Sequence, residues 1–190
     1  MDWMNLLQQY AGANAQQTPQ SVDNDFDQVA QQAPQNALSQ GLAGAFRSDQ
    51  TPPFGNMVSN LFANSSGQQR AGILNTLLAA AGPMVLQQVM SRMGRGGGGA
   101  AAVGAGNPLD GLLGMLGGGG GAQPQITPEM AEQIPPQAVE QIAAEAEKQD
   151  PSIIDRVSGY YAENPEVVKG LGAVALTVLM AHLANKHMNR

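Results

Sequence analysis

The chain has 190 residues, with 15 acidic against 9 basic side chains for a formal net charge of −6, and no cysteine. That acidic balance, with a pI of about 4.7, argues against a phosphate-tracking surface, which needs clustered Lys and Arg, so nucleic acid is not an expected partner. Without cysteine the chain can hold no disulfide, thiolate-bound cluster or thiol nucleophile of its own.

The opening residues Met1-Asp2-Trp3-Met4-Asn5 carry no cationic region and lead into no long apolar run, which argues against a secretory leader and makes the cytoplasm the expected location. Trp3, Leu6, Leu7 and Tyr10 recur at i, i+3, i+4 and i+7 and predict a short amphipathic helix. Residues 11–22 are small, polar and aperiodic, so residues 1–22 read as a helix and a linker. Asp23, Asp25 and Asp27 begin as a calcium loop would. However, Gln28 stands where that loop needs glycine, and Pro34 where it needs a closing bidentate Glu. The triplet is read instead as acid favouring the start of a helix that carries Phe26 and Val29.

Residues 23–93 predict a small orthogonal helical bundle. One stripe is Leu38, Leu42, Ala45 and Phe46; the next is Phe54, Met57, Val58, Leu61 and Phe62, with Thr51 expected as its N-cap and Pro52 at the first helical position. A third stripe, Ile73, Leu74, Leu77, Leu78 and Ala81, is expected to stop at Gly82-Pro83. Val85, Leu86, Val89, Met90 and Met93 follow on one face. Met84, Met90 and Met93 read as core, with an adaptable binding groove as the alternative. Six of the eight aromatics precede the next segment, which assigns the denser core to this half.

Between Gly94 and Gly121, 14 of 28 residues are glycine, which loses the most backbone entropy on ordering. Residues 94–125 therefore read as a flexible tether between two helical modules. Inside it Leu109, Leu112, Leu113 and Leu116 make one short apolar stripe able to dock as a peptide into a groove of this chain or of a neighbour. No Gly-Lys-Ser/Thr ending and no preceding strand accompany the glycines, so a phosphate cradle is not expected.

Residues 126–190 form the expected C-terminal module. Thr127-Pro128, Asp150-Pro151 and Asn164-Pro165 each place a capping side chain before a proline, the order in which helices begin. Stripes of Val139, Ile142, Ala143 and Ala146, then of Ile153, Ile154, Val157, Tyr160 and Tyr161, predict a helical hairpin, followed by one long apolar helix from Pro165 to nearly the C-terminus. Gly170 to Asn185 has no charged side chain with His counted neutral. Sixteen residues rise about 24 Å against a hydrocarbon core of roughly 30 Å. Burial in protein is therefore the expected fate of this helix, and membrane insertion through residues 170–185 the alternative, at a tail anchor or a peripheral site.

Chemistry is sparse. His182 and His187 are five apart and point away from each other on a helix, and the serines lie in turns outside any nucleophile motif. No catalytic residue, cofactor or metal ligand is nominated, and no enzyme is expected. Gln69-Arg70-Ala71-Gly72-Ile73-Leu74-Asn75-Thr76-Leu77-Leu78, with the Leu-Leu-Gly and polyglycine segment at 112–121, resembles the YidB-like group of small bacterial helical proteins over about half the chain. The resemblance implies a largely α-helical bacterial protein and supplies no catalytic residue.

The expectation is thus an all-α, non-enzymatic interaction or self-assembly protein with a homo-oligomeric or other protein partner. Its association surfaces would be Leu109, Leu112, Leu113 and Leu116 in the tether and Leu171, Val174, Val178, Leu179 and Leu183 in the last helix. The alternative is a membrane-associated protein anchored by that helix.

Overall fold

A computed structural model describes residues 3–12, 21–96 and 125–188, and every regular element among them is helical. The order is α1 (Trp3–Tyr10), α2 (Val22–Gln32), α3 (Gln35–Phe46), α4 (Phe54–Ala63), α5 (Gly67–Gly96), α6 (Pro128–Glu132), α7 (Pro136–Gln149), α8 (Ile153–Ala162), α9 (Pro165–Val168), a 3₁₀ turn (Lys169–Leu171) and α10 (Ala173–Met188). The class is all-α.

The apolar stripes lie inward. Leu6, Leu7 and Tyr10 of α1, Leu38, Leu42 and Phe46 of α3, and the whole Phe54, Met57, Val58, Leu61, Phe62 stripe of α4 are buried. So are Ile73, Leu74 and Leu77 of α5, the four stripe residues of α7, and Ile153, Ile154, Val157 and Tyr161 of α8. Phe46 and Phe54 meet edge to face with ring centroids 5.4 Å apart, which locks the end of α3 to the start of α4.

Backbone geometry corrects several expected boundaries. Thr51 does not cap α4; its hydroxyl donates to Ala45 O (2.6 Å) and Ser48 O (2.9 Å), closing the turn after α3. Thr51 and Pro52 each precede a proline, which pushes both out of the helical region, so α4 begins only after Pro53. Gly82 interrupts α5 as expected, at φ 70° and ψ 171°, a conformation open to glycine. The single long final helix is not formed. Gly172 adopts φ 83°, and the stretch before it is bent by 120° from α10. Of the three capping pairs, Thr127 alone caps, its hydroxyl accepting from Met130 N at 3.4 Å. Asp150 instead closes a local turn to Ser152 N, and Asn164 turns its amide to Tyr160 O and Gln69.

The tract at 94–125 does not separate two cores. One hydrophobic cluster runs from Leu6 to Ala184 and takes residues from both sides of it. The most extensive packing joins α3 to α8, α4 to α7, α5 to α7 and α10 to α3, whereas within the first half α1 with α2, α4 with α5 and the Phe46–Phe54 contact of α3 with α4 are smaller. The expected N-terminal bundle at 23–93 is thus half of a larger one. Size favours the arrangement: the fraction of surface a chain buries rises with its length, so one pooled core leaves less of the apolar stripes wet than two smaller ones would.

Helix α10 packs against α1, α2 and α3. Seven consecutive residues, Ala175 to Ala181, are buried, so this helix is enclosed around its circumference along its middle. A helix apolar on every side requires that surrounding. The polar group among the seven, Thr177, satisfies its hydroxyl on Ala173 O at 2.8 Å.

Candidate interaction surface

The most distinctive geometry of the molecule is the seam between the residues before Gly96 and those after Gln125. Close approach of backbones shapes it. A Cβ on Gly55 of α4 would lie 2.6 Å from the carbonyl oxygen of Glu140 in α7. On α3, a Cβ on Gly41 would meet Leu183 Cγ at 2.7 Å, and one on Gly44 would meet His182 Cδ2 at 2.5 Å. The missing side chains let α7 and α10 settle directly onto α4 and α3. Gly72 of α5 makes the same kind of room for the Tyr160 hydroxyl.

Polar fastenings cross the same seam. Asn75 of α5 grips the backbone of Ile126 on both sides, accepting from Ile126 N at 2.7 Å and donating to Ile126 O at 3.2 Å. The amide thereby pairs with the chain as an adjacent strand would, and fixes where it rejoins the bundle. Gln69 donates from Nε2 to Asn164 Oδ1 at 3.0 Å, while its carbonyl accepts the Tyr160 hydroxyl at 2.9 Å. Gln69 and Ser66 also form a capping box at the start of α5, with Ser66 N donating to Gln69 Oε1 at 2.9 Å.

Arg47, just beyond α3, holds Asp155 of α8 in a two-pronged pair at 3.0 and 2.8 Å. The Arg47 hydrogen bond keeps the Asp155 carboxyl below its ordinary range and raises the guanidinium in return. Lys169 binds Asp27 of α2 at 2.8 Å, a hydrogen bond that raises the ammonium pKa.

Asp23 and Asp25 stand in the first turn of α2, and Asp25 accepts from both the Tyr10 hydroxyl (2.6 Å) and the Ser21 hydroxyl (2.9 Å). Burial first, and then that carboxylate, push the Tyr10 phenol up. Tyr161 differs. It is fully buried and its hydroxyl has no hydrogen-bond partner among the described residues, while Ser65, the near polar neighbour, donates to Leu61 O at 2.7 Å. Burial drives its phenol upward against a smaller opposing pull from Ser65. His182 Nδ1 lies 2.9 Å from Val178 O; a carbonyl only accepts, so that nitrogen carries the proton. No group of three potential metal ligands occurs among the described residues.

The residues nominated for association fall in three places. Leu109, Leu112, Leu113 and Leu116 lie outside the described residues, as do the side chains of Met84, Met90 and Met93. Val178, Leu179 and Leu183 are buried in the chain's own core, where α10 meets α1, α2 and α3. Leu171 is half-buried against that core, and Val174 is 43% exposed.

The periodic pattern missed Asn75 and Gln69, whose partners stand 51 and 95 residues away. An Asn beside Leu74 in the interior of a helix, where its side chain competes with the backbone, was the available signal. Among the described residues no single helix is long and apolar enough to cross a membrane. Comparison with family models, with curated proteins and with solved structures finds no match in any of the three.

Proposed function

We propose that this chain is a non-enzymatic helical interaction protein that associates with copies of itself or with another protein. Its framework is the bundle, and its association element is the leucine stripe Leu109, Leu112, Leu113 and Leu116 rather than the last helix. The observation that supports this choice is the placement of α10. Its apolar residues from Ala175 to Ala181 are already used inside the chain, so an interface built on Val178, Leu179 and Leu183 requires α10 to leave its own core. The leucine stripe belongs to a stretch whose downstream end is held to the bundle by the Asn75 grip on Ile126. An apolar stripe with helical spacing, joined to a folded base, suits a peptide-in-groove contact.

The rival is anchoring by the C-terminal region. The bent pair Pro165–Leu171 and Ala173–Lys186 reaches membrane-like length and apolarity when its two parts are counted together.

Solution mass decides between them. The full chain, purified without detergent, is weighed by light scattering beside a variant carrying Leu112→Asp and Leu113→Asp. A mass above the 19.7 kDa of one chain that falls to one chain in the variant is the expected result. An oligomer that survives the double substitution refutes the leucine stripe. A chain that stays at single mass and instead sediments with lipid vesicles through high-salt washing refutes the whole reading in favour of the membrane.

A further inference from the structure

We propose that the residues up to Gly96 and the residues from Gln125 onward are obligate halves of one fold that hold together without the link between them, and that the first half accepts residues 125–188 of a second copy. The inference is independent of the leucine stripe. It rests on which helices touch which.

Helix α3 finds its extensive partners only in α8 and α10, and α4 finds its principal one in α7. Leu38, Leu42 and Phe46 are 3%, 1% and 4% exposed, and although Phe54 of α4 covers Phe46 edge to face, the extensive cover of α3 comes from the second half. The complementary statement holds beyond the tract. The middle of α10 is enclosed chiefly by α1, α2 and α3, with the 3₁₀ turn of its own half beside them. Neither half therefore has a core of its own.

The contacts that pass between the halves are specific in shape and in hydrogen bonding. Backbone meets backbone at Gly55 and Glu140, and Asn75, Gln69 and Arg47 find defined partners in Ile126, Asn164 and Asp155. None of these contacts uses a residue of 97–124, so the same seam forms whether the second half arrives from the same chain or from another. What the covalent link contributes is proximity. A linker confers an effective concentration of about a millimolar, so at micromolar protein a chain closes on itself by roughly a thousandfold preference. A second copy takes the seat when the chain's own second half is defective or cut away.

Two experiments on the full chain test this. In the first, Leu42→Asp in α3 and Val157→Asp in α8 are made in separate chains, each lesion placing a charge in the core. Each variant alone should lack a cooperative helical melt. An equimolar mixture, refolded together, should recover one, because the intact first half of the Val157→Asp chain can pair with the intact second half of the Leu42→Asp chain. A mixture that stays unfolded overturns the exchange, and a variant that folds by itself overturns the obligate character of the halves. In the second, a protease site is inserted between Gly119 and Gly120 and cleaved. The two pieces should co-elute and melt in one transition whose midpoint rises with concentration, while that of the intact chain does not. Pieces that separate, or one piece that stays folded alone, overturn the proposal. The leucine-stripe substitutions leave both results unchanged, so the two ideas fail separately.

Discussion

Replacing Gly55 with alanine tests whether the close crossing of α4 on α7 is a structural requirement. Alanine in place of a glycine in a helix gains at most about 1 kcal/mol, because the unfolded chain has less freedom to lose, and Gly55, second residue of α4, gains less than an interior position would. Against that, the new Cβ would lie 2.6 Å from Glu140 O, 3.2 Å from Ala144 Cβ and 3.4 Å from Ala144 N, and ordinary Cβ contact begins only at about the last of these. The nearest obstacle is a main-chain oxygen, which cannot swing aside as a side chain can, so α7 must retreat by several tenths of an ångström along a fully packed seam. Overpacking of this kind costs about 1–3 kcal/mol, and a backbone obstacle puts the cost at the upper end. The net expectation for Gly55→Ala is a loss of about 1–2 kcal/mol, or roughly 2–8 °C in Tm for a chain of this size.

Gly159 provides the control. It lies inside α8 with open space where a methyl group would stand, so Gly159→Ala keeps the propensity gain of about 0.5–1 kcal/mol and should melt higher. Thermal and urea unfolding followed by circular dichroism read both. If Gly55→Ala melts at or above the wild type while Gly159→Ala gains stability, the steric reasoning is wrong.

The two buried phenols should respond in opposite directions to loss of the hydroxyl. Tyr161→Phe removes an unpartnered buried group and should stabilise by about 1 kcal/mol, whereas Tyr10→Phe deletes the bond to Asp25 and should destabilise by about 1–3 kcal/mol in urea unfolding. Asn75→Ala leaves both backbone groups of Ile126 without their partner and should cost about 1–3 kcal/mol, with faster hydrogen exchange at the Ile126 amide; unchanged exchange there would show that the grip does not fix the chain. Asp155 has a folded pKa below its ordinary value, so its contribution is present above the ordinary carboxylate range and disappears as pH falls through the lowered folded value. Because the Arg47 and Asp155 side chains are 47% and 59% exposed, solvent screening holds that contribution under about 1 kcal/mol. Asp155→Asn should therefore flatten the acid limb of stability only slightly, and salt should shrink the difference further.

Much of this architecture could be read along the chain, because the forces that write it are local. The stripe Phe54, Met57, Val58, Leu61, Phe62 announces a helix with one buried face, since residues three and four apart share a side whatever the fold. The kink at Gly82 was legible for the same kind of reason: glycine followed by proline cannot carry a helix onward undisturbed. Thr51 misled because its cap signal competed with two prolines in succession, and the constraint on the residue before proline won.

Partner choice is where the sequence ceased to decide. A stripe states that a face must be covered and is silent about what covers it, so Leu42 carries no mark of α8 and Gly55 none of Glu140. The all-round apolar stretch at Ala175 to Ala181 determined that this helix would leave water, since its composition permits nothing else. Only the tertiary structure decided that its surroundings are α1, α2 and α3 of the same chain. Pooling the two sets of stripes into one cluster covers faces that the elements of each half leave open to the other, and that gain comes from contacts far apart in sequence.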